Sequence, residues 1–178
     1  AYIPVWGTYI TTPTATKEFA KVNVQTKIVL PEGADAGKYS VKTSVWNPNG
    51  QKLTEQTIPL SQIKYNDNSL SQEFIIQTPT LWSPDMPALY SAETRLYEGD
   101  QLKDIYTTPF GIRSIEIIPN KGFFLNGEKT VFKGVCNHHD LGPLGAAVND
   151  AAIRRQIRIL KDMGCNAIRT SHNMPAPE

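Results

Sequence analysis

The sequence is poor in the residues that most often settle a function by themselves. Its 178 residues include two cysteines, Cys136 and Cys165, and three histidines, all of them in the last third. No Cys-x-x-Cys and no His-x-x-x-His spacing is present, so the common zinc patterns are missing. Charge is nearly balanced, with 18 basic against 17 acidic residues and a net charge of +1. A nucleic-acid surface is therefore not expected. No apolar run approaches the roughly 18 residues that span a bilayer, so no membrane partner is expected either. The stretch Ala1-Tyr2-Ile3-Pro4-Val5-Trp6 lacks the basic region and apolar core of a signal peptide. Two cysteines decide neither compartment nor bridge, and each reads as a small buried hydrophobe in a strand.

What is present is a composition of 40% hydrophobic and 20% charged residues, ordinary for one or two domains with a real core. From Val22 to Ile118 short strands alternate with turn residues. Val22–Ile28 and Tyr39–Trp46 alternate cleanly, as half-buried antiparallel strands do. Further strands are expected at Lys52–Ile58, Ser71–Gln77, Tyr90–Tyr97, Lys103–Thr108 and Ile112–Ile118. Glu98-Gly99-Asp100 fits a hairpin turn. Strands with no helix pattern between them predict a mainly β domain at residues 1–118, an immunoglobulin-like sandwich. The loop Leu81-Trp82-Ser83-Pro84 to Leu89-Tyr90 cannot join a ladder at its prolines. Trp82 there reads as a plug for the end of the sandwich more readily than as a sugar platform.

After Pro119 the pattern changes. Phe123–Lys129 reads as a hairpin around Asn126-Gly127, whose turn needs positive φ at both residues. Val131–Cys136 is apolar enough for a strand buried on both faces. Asn149 is a helix cap with Asp150 in the first turn. Ile153, Ile157, Leu160 and Met163 recur at helical spacing as one buried face, and Gly164 suits the left-handed residue after the helix. Arg154, Arg155, Arg158 and Lys161 cover most of the remaining surface as a solvated face. Cys165–Arg169 is the next strand. Strand, helix, strand with polar strand ends is how a parallel (β/α)8 barrel presents site residues. Residues 119–178 thus read as the first βαβ unit of a truncated barrel, about one and a half repeats of the eight such a barrel needs.

The polar ends are Asn137-His138-His139-Asp140 and Arg169-Thr170-Ser171-His172. Three readings compete for them. A metal site would use the histidines with Cys136 and Asp140, but neighbours on an extended strand point to opposite faces. A structural reading has the histidines bonding the next loop. A substrate pocket uses the rigid donor fork of arginine and the neutral donor and acceptor of histidine, groups that suit the hydroxyls of a sugar ring. No Ser-His-Asp ordering is evident.

Taken with the rest of the chain, these residues resemble glycoside hydrolase family 2, the group that includes β-galactosidases, β-glucuronidases and β-mannosidases. Leu81-Trp82-Ser83-Pro84 to Leu89-Tyr90 is similar to the family's sandwich-loop motif. Phe110-Gly111-Ile112-Arg113-Ser114 and Phe124-Leu125-Asn126-Gly127 resemble the segment that joins sandwich to barrel. Asn137-His138-His139-Asp140 resembles the family's Asn-Arg-His-Glu, with His138 in place of arginine and Asp140 in place of glutamate. Asn166 through His172 resembles the second-strand motif, with Asn173-Met174-Pro175 where Tyr-Pro is common.

The resemblance implies His139, Arg169, His172 and Asp140 as substrate contacts, a β-glycoside as substrate, and no cofactor. It also implies retaining hydrolysis by an acid and a nucleophile about 5–5.5 Å apart. Both are glutamates on later barrel strands in the family, so this chain is expected to be a fragment without turnover, β-galactosidase-like in its parent. The apolar helix face would then seek cover, on the sandwich or by self-association. The alternative is a non-catalytic carbohydrate- or protein-binding module.

Overall fold

The structure, a computed structural model, describes residues 1–62, 69–138, 141–147 and 149–172. The chain divides into two compact units, Ala1–Glu128 and Lys129–Glu178. In the first unit seven strands follow one another: β1 (Thr8–Ala15), β2 (Phe19–Lys27), β3 (Tyr39–Trp46), β4 (Lys52–Pro59), β5 (Ser69–Gln77), β6 (Tyr90–Glu98) and β7 (Gln101–Phe110). They form a sheet of order β1-β2-β5 and a second of order β4-β3-β6-β7. The chain crosses between sheets from β2 to β3, from β4 to β5 and from β5 to β6. This is the expected immunoglobulin-like sandwich. Glu98 pairs with Gln101 across a two-residue turn, where Gly99 takes φ 55°.

One strand of the seven was not expected from the sequence. β1 carries Pro13 and a register break between Thr11 and Thr14, which hide the alternation. Both features are tolerated because β1 lies at a sheet edge, where a missing N–H costs no ladder bond. Side chains of β7 fasten this edge. Asp104 accepts from the Ile3 amide at 2.8 Å, the Tyr106 hydroxyl accepts from the Trp6 amide at 3.1 Å, and Thr108 bonds Thr8.

The core has two apolar clusters, one around Val22, Val24, Phe74 and Tyr90 and the other around Ile28, Val41, Leu70 and Leu96. Thr26, Thr43, Gln72 and Thr94 lie between them along β2, β3, β5 and β6, each at most 1% exposed. Thr43 donates to Gln72 Oε1 at 2.6 Å and lies 3.3 Å from the Thr94 hydroxyl, while Gln72 Nε2 donates to the Gln56 carbonyl at 3.0 Å. The Thr26 hydroxyl has no partner among the described residues.

The expected strand at Ile112–Ile118 begins three residues later, because Ile112 is wholly buried in the first apolar cluster. β8 (Ile115–Ile118) pairs with β9 (Gly122–Leu125), which pairs in turn with β10 (Glu128–Lys129). Asn126 and Gly127 make the turn with φ 52° and 80°. The Asn126 side chain also accepts from the Ser114 amide and donates to the Trp82 carbonyl, both at 3.0 Å. Trp82 is half-buried, with Arg113 Cζ 5.1 Å from its ring centre. A Cβ on Gly111 would meet the Trp82 side chain at 2.8 Å. Trp82 is therefore packed as a plug.

In the second unit β11 (Gly134–His138) runs parallel to β12 (Ala167–Ser171), with α1 (Asp150–Asp162) between them in sequence. Asn149 caps α1 by accepting from the Ala152 amide at 2.9 Å. The helix ends in paired bonds from Gly164 to Lys161 and from Cys165 to Leu160, with Gly164 at φ 87°.

Three expectations need correction here. The strands start later than expected, at Gly134 and Ala167. Ahead of them, Asn166 accepts from the Lys133 amide and donates to the Val131 carbonyl, which takes both segments out of ladder pairing. The helix face is not buried, since Ile153 and Leu160 are half-exposed while Ile157 and Met163 are 47% and 68% exposed. Cys136 is exposed as well, because one neighbouring strand and one helix cannot cover both faces of β11.

Thr26→Val keeps the shape and removes a buried hydroxyl that has no partner among the described residues. It should raise stability by about 1–3 kcal/mol, read as a higher urea midpoint at unchanged slope. A lower midpoint would show that the hydroxyl is satisfied in solution.

Candidate functional site

The two parallel strands sort their side chains by face. Register pairs Gly134 with Ala167, Cys136 with Arg169 and His138 with Ser171, so these six share one side of the sheet. Gly134 lets the strands close up, since a Cβ there would collide with the Ala167 carbonyl oxygen. An open hollow of about 410 Å³ lies along this part of the unit, lined by Gly134, Cys136, Ala167 and Arg169 and also by Phe132, Val135 and Ile168.

Arg169 is the centre of the group. One terminal nitrogen donates to the Ser171 hydroxyl at 3.4 Å and to Cys136 Sγ at 3.6 Å, and the other lies 3.5 Å from His172 Nδ1. The His172 ring stands edge-on to His138 with centres 5.6 Å apart. Ser171 is 2% exposed, whereas His138, Arg169 and His172 are open to solvent. The Ser171–His172 peptide is cis. The Arg169 hydrogen bond holds the Cys136 thiol below its ordinary pKa, aided by Ser171.

Of the expected contacts, Arg169 and His172 are brought together, while His139 and Asp140 lie outside the described residues. The reading of single motifs missed Cys136 and Ser171 as neighbours of Arg169 and His138 as the neighbour of His172. Their shared face follows from strand alternation once the register of β11 against β12 is known. Among the described residues no group of three His, Cys, Asp or Glu side chains is arranged to hold a metal ion. What the group offers is a fixed guanidinium fork and two imidazoles at the carboxyl end of a parallel strand pair, the place where α/β barrels carry their ligand contacts.

Comparison with known proteins gives this architecture its class. The model of glycosyl hydrolases family 2 matches residues 2–113, and the family's TIM barrel domain matches residues 116–178. The chain belongs to glycosyl hydrolases family 2. The β-galactosidase BoGH2A of Bacteroides ovatus is 42% identical over 173 residues, which are 97% of this chain and 20% of that protein. A putative β-glucuronidase of Formosa agariphila is 36% identical over 170 residues, 95% of this chain and 16% of the relative. The crystal structure of a family 2 member from Bacteroides cellulosilyticus superposes with a TM-score of 0.88 at 37% identity, over 99% of this chain and 23% of that one. The chain thus spans about a fifth of the length of the curated relatives it matches.

The thiol geometry has a measurable consequence. A lowered pKa leaves more thiolate near neutral pH, so Cys136 should alkylate with iodoacetamide faster than Cys165. Arg169→Leu should raise the thiol pKa and slow that reaction. Equal rates at the two cysteines, read by peptide mass spectrometry, would contradict the Arg169–Cys136 contact.

Proposed function

We propose that this chain is the sandwich and the opening barrel unit of a retaining glycoside hydrolase that removes terminal β-linked sugars, with β-galactosidase-like specificity. The domain boundary is set at residues 118 and 119, between the strands of the β8–β9 hairpin. The observation that carries the reading is the grouping of Arg169, His172 and His138 at the carboxyl ends of β11 and β12, within the segment matched by the family's barrel domain.

In this reading Arg169 donates to ring hydroxyls, and His172 donates or accepts according to its tautomer. His139 and Asp140, next in sequence after β11, are assigned to the same pocket. Similarity to a β-galactosidase and to a putative β-glucuronidase supports a β-glycoside as the ligand class.

Retaining hydrolysis requires two carboxyl groups about 5–5.5 Å apart across the glycosidic bond. Asp150 and Asp162 stand at the two ends of α1, separated by more than three helical turns, and cannot act as that pair. With both catalytic glutamates of the family assigned to later barrel strands, the 178-residue chain is assigned no turnover of its own. Its helix face, with Ile157 and Met163 exposed, is assigned to self-association when the chain is alone. Sedimentation should show association rising with concentration, and Ile157→Lys should abolish it. A monomer at millimolar concentration would refute that assignment.

The functional test is hydrolysis of a panel of aryl β-glycosides by the full-length protein that carries this chain. The β-galactoside should be cleaved fastest, and the 178-residue chain should release no nitrophenol. Arg169→Ala should lower kcat/KM about tenfold to a hundredfold, the loss of one charged hydrogen bond. A folded full-length protein that cleaves none of the panel would shift the reading to a binding module.

A further inference from the structure

Asn137 stands in the chain between two residues of the site face, yet its side chain is on the other side of β11. Alternation turns Val135 and Asn137 toward α1, where both are half-buried, while Cys136 and His138 stay exposed. On α1, Gln156 sits within the apolar stripe, three residues after Ile153 and four before Leu160, and all three are half-buried. The two amides exchange two hydrogen bonds. Gln156 Nε2 donates to Asn137 Oδ1 at 2.7 Å, and Asn137 Nδ2 donates to Gln156 Oε1 at 3.2 Å.

A reciprocal amide pair fixes direction as well as distance. Turning either amide over sets donor against donor and acceptor against acceptor. Burial alone does not call for an amide at position 156, since a leucine would fill the same stripe without a polar group to desolvate. Each amide spends one donor and one acceptor on the other, which holds both in plane against each other. What the pair does is tie one helical position to the strand residue that immediately precedes His138.

We infer that Gln156 is a positioning residue for the sugar pocket. Through Asn137 it fixes the carboxyl end of β11, and with it the placement of His138 beside His172. This rests on the reading of the β11 and β12 ends as the substrate pocket. Gln156 touches no substrate, because it lies across the sheet from Arg169 and His172. Its effect is geometric, and a displacement of about 1 Å at contact residues is enough to cost as much as a hundredfold in rate.

The test is the steady-state kinetics of the full-length protein on its best aryl β-glycoside. The variants are Asn137→Leu, Gln156→Leu and the exchange Asn137→Gln with Gln156→Asn, which keeps the summed length of the pair. Each leucine variant should lower kcat/KM about tenfold or more at temperatures where circular dichroism shows a folded protein. The exchange should return it to within about threefold of wild type, as coupling between two partners demands. A fall in melting temperature with kcat/KM unchanged overturns the inference, because a merely structural pair behaves that way. Additive losses with no recovery in the exchange overturn it too. A wild-type protein that cleaves no glycoside overturns the functional reading and this inference together, whereas active leucine variants overturn the inference alone.

Should the leucine variants fail to fold, Gln156→Glu keeps the shape. Its carboxylate accepts from Asn137 but has no proton to donate back. Relative to wild type, its kcat/KM should rise as pH falls through the carboxyl range and the missing donor returns. A ratio that is flat with pH overturns the inference.

Discussion

The first unit depends at its far end on one side chain, that of Asn126. The residue turns the chain at φ 52°, and the amide that permits this also reaches two distant backbone groups, the Ser114 N–H and the Trp82 carbonyl. Trp82 in turn bonds the Ile112 carbonyl through its own amide and lies between Gly111 and the Arg113 guanidinium. Loop, strand exit and hairpin are thereby held as one piece. An alanine at position 126 would lose the turn preference and both tethers at once.

The sandwich upstream of that point is organised by polarity as much as by apolar burial. A layer of Thr43, Gln72 and Thr94 runs through the core and separates two apolar clusters. Sliding any one of these strands by two residues would keep every inward side chain inward but would set Gln72 or Thr43 against a hydrocarbon neighbour. Desolvating an amide without a partner is costly. The layer thus distinguishes the native register from the slipped ones that hydrophobic alternation alone would accept.

Legibility in the sequence followed the range of the interactions. Features set within a few residues could be read directly: the Asn126-Gly127 turn, the Asn149 cap and the Gly164 stop all appear where the sequence places them. Strands β2 to β7 were legible because alternation survives in β2 and β3 and turn residues bound the others. β1 was not, since Pro13 and the register break interrupt the pattern and edge position excuses both. At the site, Arg169 and His172 stood out as motif residues. The membership of His138, Cys136 and Ser171 depends on how β11 registers with β12, and a single chain does not display that. The Asn137–Gln156 pair was hidden for a related reason: a glutamine in an apolar helical stripe looks like a surface residue until its partner is in view. Burial of the helix face was over-read, because periodicity says which side is apolar and not what covers it.

The alternation of β11 has a consequence for how such a protein diversifies. Val135 and Asn137 are half-buried and Asn137 bonds the helix, a demand of folding, while Cys136 and His138 are exposed beside Arg169 and His172, the demand of the proposed pocket. The two demands fall on alternate residues of a five-residue strand and scarcely meet. A lineage can therefore exchange the outward set without disturbing the inward one. Selection for a new sugar and selection for a stable barrel can proceed side by side on the same strand, which gives a single backbone room to explore many specificities.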